Sequence, residues 1–263
     1  MLQHFIPAIL KAQEGVHAVR RHFALFDLEK IMAVDEALLS HDMPVVKKGV
    51  LYIDGEGTAT AAVAQEAAKL FNEGNYDCVV MAGGRKPHQD PKKHAVFPQV
   101  LKSGLHLPQR DDTEAEYAAR EFSRYADHLN HEKWKRYAQE GRIHVISRGN
   151  AASDKVEACR DIFNKAGLVQ AVTLPYTVPR LVGTFKKYAP DVAVTAKGVW
   201  PFGITRDNWK DWHISHGVVM REFAVAGPGK NGEESKYEKA GYFIRTDLEE
   251  AGKKALAVEA NCN

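Results

Sequence analysis

Five short stretches carry glycines, hydroxyls and charges, four of them directly after apolar, β-branched runs, the arrangement from which ligand sites are built at strand ends, and one opening a helix. The first is Asp54-Gly-Glu-Gly-Thr-Ala-Thr60. Gly55 and Gly57 permit a tight turn around Glu56, and the helix that follows would aim free N–H groups and its positive end at a phosphate or carboxylate. Only half of a G-x-G-x-x-G fingerprint is present, with Thr60 at the third glycine position and no P-loop lysine, so a plain strand-to-helix turn fits as well. The second stretch, Ala82-Gly-Gly-Arg-Lys86, ends a strand in Gly83 and Gly84, where a ligand could approach the backbone, and adds Arg85, which could grip an anion bidentately. A solvated basic loop is the alternative, because His88, Lys92, Lys93 and His94 follow. A metal site from His88, Asp90 and His94 is conceivable, but histidines in a polar loop are more often solvated, and none is expected.

The third stretch is Asp111-Asp-Thr-Glu-Ala-Glu116. Thr113 has the character of an N-cap, and acids in a first turn are expected from the helix dipole alone. The functional alternative is that Glu114 or Glu116 reaches the cleft as a general base or as an acceptor for ligand hydroxyls. In the fourth, Ser147-Arg-Gly-Asn-Ala-Ala-Ser153, Asn150 and Arg148 could face a ligand, while Ser153 could do so or only cap the next helix. The fifth, Pro175-Tyr-Thr-Val-Pro-Arg180, puts Tyr176, Thr177 and Arg180 on one short segment. Arg180 falls in the first turn after Pro179, unfavourably placed against the helix dipole, and such a cation makes sense if an anion sits between the two. No G-x-S-x-G elbow, H-E-x-x-H or C-x-x-C motif occurs, so the usual serine hydrolase and zinc chemistries lack their signatures.

These stretches need elements to position them. Short β-rich runs, Gly49–Asp54, Cys78–Ala82, Ile143–Ser147, Ala171–Leu174 and Val192–Ala196, alternate with helical segments at about 58–72, 153–166 and from Pro179. That alternation predicts a Rossmann-like, doubly wound α/β fold with a mainly parallel five-stranded sheet. Gly167 is the expected left-handed cap of the third helical unit. Apolar spacing over 1–47, as in Val16, Val19, Phe23 and Phe26, predicts N-terminal helices. The excursion 85–142 combines a polar loop with one or two helices from about Asp112. Residues 48–206 form the expected α/β domain, and 207–263 a small C-terminal helical extension, with a terminal helix at 246–259.

The chain has 263 residues, 36 Lys+Arg against 34 Asp+Glu, a net charge of +2, and 44% hydrophobic residues. Such balance argues against a wrapper of nucleic acid, and the tryptophans and tyrosines lie mostly away from basic runs, against a single-strand platform. No apolar run approaches the length of a membrane span, and the N-terminus has no signal-peptide pattern. With three cysteines, an odd number, a reducing, cytoplasmic setting is the expectation.

Ala82-Gly-Gly84, Thr113-Glu-Ala-Glu116 and Tyr176-Thr-Val-Pro-Arg180 with Phe185, in this order, resemble the YdcF/SanA/ElyC family of bacterial proteins over roughly Lys48 to Ala196. Thr177 stands where the family usually has histidine, and its Ser/Asn loop corresponds to the looser Ser147–Ala158 segment. The resemblance is closest to the soluble YdcF-like arrangement. It implies a Rossmann-like domain with a smaller C-terminal addition, a link to envelope biogenesis, and S-adenosylmethionine as one possible ligand. Together these readings lead to the expectation that Gly55, Glu56, Gly57, Gly83, Gly84, Arg85, Glu116, Asn150, Ser153, Tyr176, Thr177 and Arg180 bind a small anionic molecule, a nucleotide or other phosphorylated metabolite, with Glu114 as base. The alternative is a non-catalytic protein that sequesters or senses a nucleotide-like ligand. The sequence leaves the oligomeric state open.

Overall fold

The computed structural model describes residues 34, 38–39, 42–84, 112–201, 204–209, 219, 222–224, 227 and 233–262. Five strands, β1 (Val50–Asp54), β2 (Cys78–Ala82), β3 (Ile143–Ile146), β4 (Leu168–Thr173) and β5 (Ala193–Gly198), form one sheet in the order β3-β2-β1-β4-β5. Every neighbouring pair runs parallel. The chain is therefore an α/β protein with a Rossmann-like sheet. Its strand order reverses between β1 and β4, and at such a switch point the connections leave to opposite faces and open a crevice at the carboxyl ends.

The central strands are apolar on both faces because both are covered. Leu51, Ile53, Val79, Met81 and Val172 point to one side, where helices α1 (Thr60–Glu73) and α2 (Glu114–Gln139) pack, with Phe71 edge-on to Phe122 at 5.5 Å and to Tyr137 at 4.8 Å. Val34, Leu38 and Leu39 are buried in the same cluster, as are Trp209 and Val219. Val50, Tyr52, Val80, Val169 and Ala171 point to the other side, against α3 (Ala152–Ala158), α4 (Arg160–Ala166) and α5 (Val178–Tyr188). A short helix α6 (Lys236–Lys239) precedes α7 (Leu248–Asn261), which buries Ala255 with Val46, Leu168 and Ala193.

Several boundaries differ from the sequence expectation for identifiable reasons. β4 begins at Leu168, directly after the left-handed Gly167 (φ 71°), because the polar residue in its first half is paired: Gln170 accepts from Val46 N at 2.8 Å and donates to the Ala171 carbonyl. The helix expected at 153–166 is two, broken at Cys159. Thr113 does cap α2, its hydroxyl accepting from Glu116 N while the Glu116 carboxylate accepts from Thr113 N at 2.7 Å. α2 then breaks at Asn130 (φ −159°, ψ 82°), whose side chain accepts from Lys133 N and caps the second half. α7 starts at Leu248 because Asp247 accepts from Glu249 N and Glu250 N. Among the described residues no helix is long and apolar enough to cross a membrane. Most of the expected N-terminal helices and the whole 85–111 stretch lie outside the described residues.

Candidate functional site at the carboxyl edge of the sheet

The ends of β1 and β4 face each other across the switch point, and several of the buried charged groups among the described residues gather there. One half of this cluster is closed. Asp54 ends β1 and Lys155 sits on the inward face of α3, with Ala152, Val156 and Cys159. The Lys155 Nζ donates to Asp54 Oδ1 at 2.9 Å and to the Gly55 carbonyl at 2.6 Å, and lies 3.6 Å from Glu114 Oε2. The three residues are only 3–5% exposed. Burial works against the Lys155 ammonium, but Asp54, Glu114 and Glu56 outweigh it and hold its pKa above the ordinary lysine value.

Glycine makes this closure possible. A Cβ on Gly55 would stand 2.5 Å from the Glu114 Cβ, and one on Gly83 would stand 2.6 Å from it, so only glycines let the start of α2 lie against both strand ends. Gly84 is packed less tightly, a Cβ there standing 3.1 Å from Arg148 and Gly149 of the loop after β3. Backbone bonds fix the stack: Gly55 N donates to the Ala82 carbonyl, Ala115 N to Gly83, Gly83 N to Ile146 and Gly84 N to Gly149. The Glu114 carboxylate also accepts from Gly57 N at 2.9 Å, at a left-handed residue (φ 57°). The anion that the Gly55–Gly57 turn was expected to attract is thus supplied by the protein itself.

The other half lies between the turn after β1 and α5. Glu56 Oε1 lies 2.6 Å from Thr173 Oγ1 and 3.0 Å from Thr177 Oγ1. Burial and the neighbouring Asp54 raise the Glu56 pKa, Lys155, Arg180 and the Thr173 hydroxyl lower it, and the result is about 7. Glu56 and Arg180 are part-buried, whereas Thr173 and Thr177 are fully buried. Arg180, in the first turn of α5, donates through Nε to Glu222 Oε1, contributed by the C-terminal part of the chain. Burial opposes the guanidinium charge, yet Glu222 and Glu56 push its pKa above the ordinary value. Tyr176 lies beneath, tilted against Trp200 with ring centroids 6.2 Å apart, and burial, with Glu56 beside it, pushes its phenol well above the usual range.

Of the residues singled out from the sequence, Gly55, Glu56, Gly57, Gly83, Glu114, Thr177 and Arg180 come together at this edge. Glu116 is exposed on the outside of α2 and engaged in the capping box. Asn150 is exposed, its N–H directed to Asp154, and the buried Ser153 donates to the same Asp154 carboxylate. Arg85 lies outside the described residues, as do His88, Asp90 and His94. Among the described residues no group of three or more His, Cys, Asp or Glu side chains is placed to hold a metal ion. Sequence reasoning missed Lys155, Thr173 and Glu222. A lysine falling in the apolar stripe Ala152, Val156, Cys159 was a legible signal for the first; Glu222 left none. Burial, with Asp54 nearby, lifts the Cys159 thiol to about 12, so this stripe cysteine is a core residue rather than a nucleophile.

An acid whose proton is exchangeable near neutral pH, beside a guanidinium held by a carboxylate from a distant segment, equips this edge to bind an anion and to move a proton. Compared with known proteins, the chain matches no family model and no curated sequence.

Proposed function

We propose that the chain binds a small anionic molecule, a nucleotide or other phosphorylated metabolite, at the carboxyl edge of its sheet, and that Arg180 is the residue that takes the anion. The observation that carries this reading is the Arg180–Glu222 pair at the topological switch point: a part-buried cation at a helix N-terminus, answered by a carboxylate 42 positions away in the chain. An anionic group of the ligand replaces Glu222 on the guanidinium, with Tyr176, Thr177 and Glu56 around it. The Lys155 half is the rigid floor. The likeness to the YdcF/SanA/ElyC family supports the same edge.

Calorimetry against a panel of nucleotides, phosphoesters and S-adenosylmethionine tests this. Arg180→Ala weakens binding by about 1.5–3 kcal/mol, the value of a charge-assisted hydrogen bond. Glu222→Gln strengthens it by removing the internal competitor. Affinity unchanged in Arg180→Ala removes Arg180 from the site.

A second reading, retention of the ligand without turnover, is favoured by Thr177, which stands where the resembled family usually has histidine and whose hydroxyl is engaged by Glu56 and the Leu174 carbonyl. Mass spectrometry of the ligand after incubation separates the two. Product that disappears in Glu56→Gln supports an enzyme; intact ligand supports a binding protein.

A further inference from the structure

The cluster around Glu56 contains more oxygen–oxygen contacts than its hydroxyls have hydrogens to fill. Thr173 Oγ1 lies 2.6 Å from Glu56 Oε1 and 2.7 Å from Thr177 Oγ1. Thr177 Oγ1 lies 3.0 Å from Glu56 Oε1 and 2.8 Å from the Leu174 carbonyl oxygen. These are four close contacts, and a carboxylate and a carbonyl can only accept. The two threonines supply one hydrogen each, which leaves two contacts as bare oxygen against oxygen. A carboxyl proton fills a third: Glu56 donates to Thr173, Thr173 to Thr177 and Thr177 to the Leu174 carbonyl, which leaves only the longest contact, Thr177 to Glu56, without a hydrogen. Both hydroxyls are buried in a protein interior where unfilled polar contacts are costly.

We propose that Glu56 carries a proton in the resting site and, when a ligand enters, turns it from the threonine hydroxyl to an oxyanion of the ligand, so that the site takes up a phosphate-like group together with a proton. The donor role rests on the anion-binding function proposed above; the proton on Glu56 does not. A neutral acid can donate to an oxyanion beside Arg180, whereas a carboxylate in the same place repels it. The groups that face Glu56 come from every side: Tyr52 and Asp54 from β1, Lys155 from α3, Tyr176 and Arg180 from the segment after β4, and Glu222 through its bond to Arg180. Lys155 is itself shared with Asp54 and Glu114, so its charge does not serve Glu56 alone. Glu222 likewise takes up part of the Arg180 charge. The proton is the remaining means of filling a third one of the four contacts.

Side-chain carbon NMR of the full chain, labelled with carbon-13 at glutamate, tests the first part without any ligand. One glutamate carboxyl should titrate with a midpoint of about 7 and be absent from Glu56→Gln. Thr177→Val, which removes one hydroxyl from the cluster, should move that same midpoint and identifies it independently of how well Glu56→Gln folds. A Glu56 midpoint in the ordinary range, about 4.3, overturns the proposal.

Inorganic sulfate, whose charge is constant over the range used, tests the second part. Wild-type affinity should fall by roughly tenfold per pH unit above about pH 7 while that of Glu56→Gln stays flat. Equal wild-type affinity at about pH 6 and about pH 8.5 overturns the donor role. Sulfate bound at neither pH overturns the anion-binding function and the donor role together, and leaves the proton on Glu56 to the NMR result.

Discussion

The two halves of the carboxyl edge contain the same kinds of groups and solve different problems. Around Lys155 the ammonium faces Asp54, Glu114 and the Gly55 carbonyl, all at most 5% exposed for the side-chain-bearing residues, and every partner comes from an element packed into the sheet. Around Arg180 the guanidinium is part-buried and its carboxylate comes from the C-terminal segment, while Glu56 titrates near neutrality. A buried pair whose partners are fixed by packing holds the fold; a part-buried pair whose partner is borrowed can exchange it for a ligand. On the proposed reading, what separates a structural from a binding role here is the accessibility and origin of the counter-charge.

Breaking the closed half should have the largest effect. Lys155→Met leaves Asp54 and Glu114 as buried carboxylates without their cation and is expected to cost about 3–5 kcal/mol, read from urea denaturation. Adding Asp54→Asn should recover part of that loss, because the uncompensated charge, rather than lost packing, is its source. Next comes the glycine contact: Gly83→Ala drives a methyl to 2.6 Å from the Glu114 Cβ and should cost about 1–3 kcal/mol in the same measurement. By contrast, Arg180→Ala should change stability little and lose ligand affinity, which is the sharpest contrast between the halves.

The last effect is a change of slope rather than a fixed loss. The Glu56 pKa is raised from 4.5 to about 7 on folding. Between those values the unfolded chain binds fewer protons at this group than the folded one, so the group's contribution to stability falls as pH rises through that window and is flat above it. Glu56→Gln removes the slope. Its urea midpoint should therefore match the wild type most closely at about pH 5 and exceed it most at about pH 8; a constant offset across that range would mean that Glu56 does not titrate there.

Much of the fold was legible in the sequence because local chemistry decides it. The apolar runs that are buried on both faces, the left-handed Gly167 and the Thr113 cap all act within a few residues of themselves. The site was legible only by type. Arg180 at a helix start called for an anion, and the Gly55–Gly57 turn called for another; the protein's own Glu222 and Glu114 take those places, across 42 and 57 positions, and no local pattern pairs residues at that distance. Lys155 was missed, because the three acceptors around it come from β1, the turn after it and α2. Gln170 misplaced the start of β4 for a similar reason: its partner, Val46 N, lies 124 positions away.

Native mass spectrometry of the purified full chain, wild type beside Arg180→Ala, bears most directly on the division of the site. Both proteins should keep the compact charge-state distribution of a folded chain, and the wild type should retain a small anionic molecule, either carried from the cell or taken up from a panel of nucleotides and phosphoesters, that Arg180→Ala has lost. The same molecule held equally by both proteins, or a wild type that takes up nothing from the panel, would contradict the assignment of Arg180 as the exchangeable half of the site.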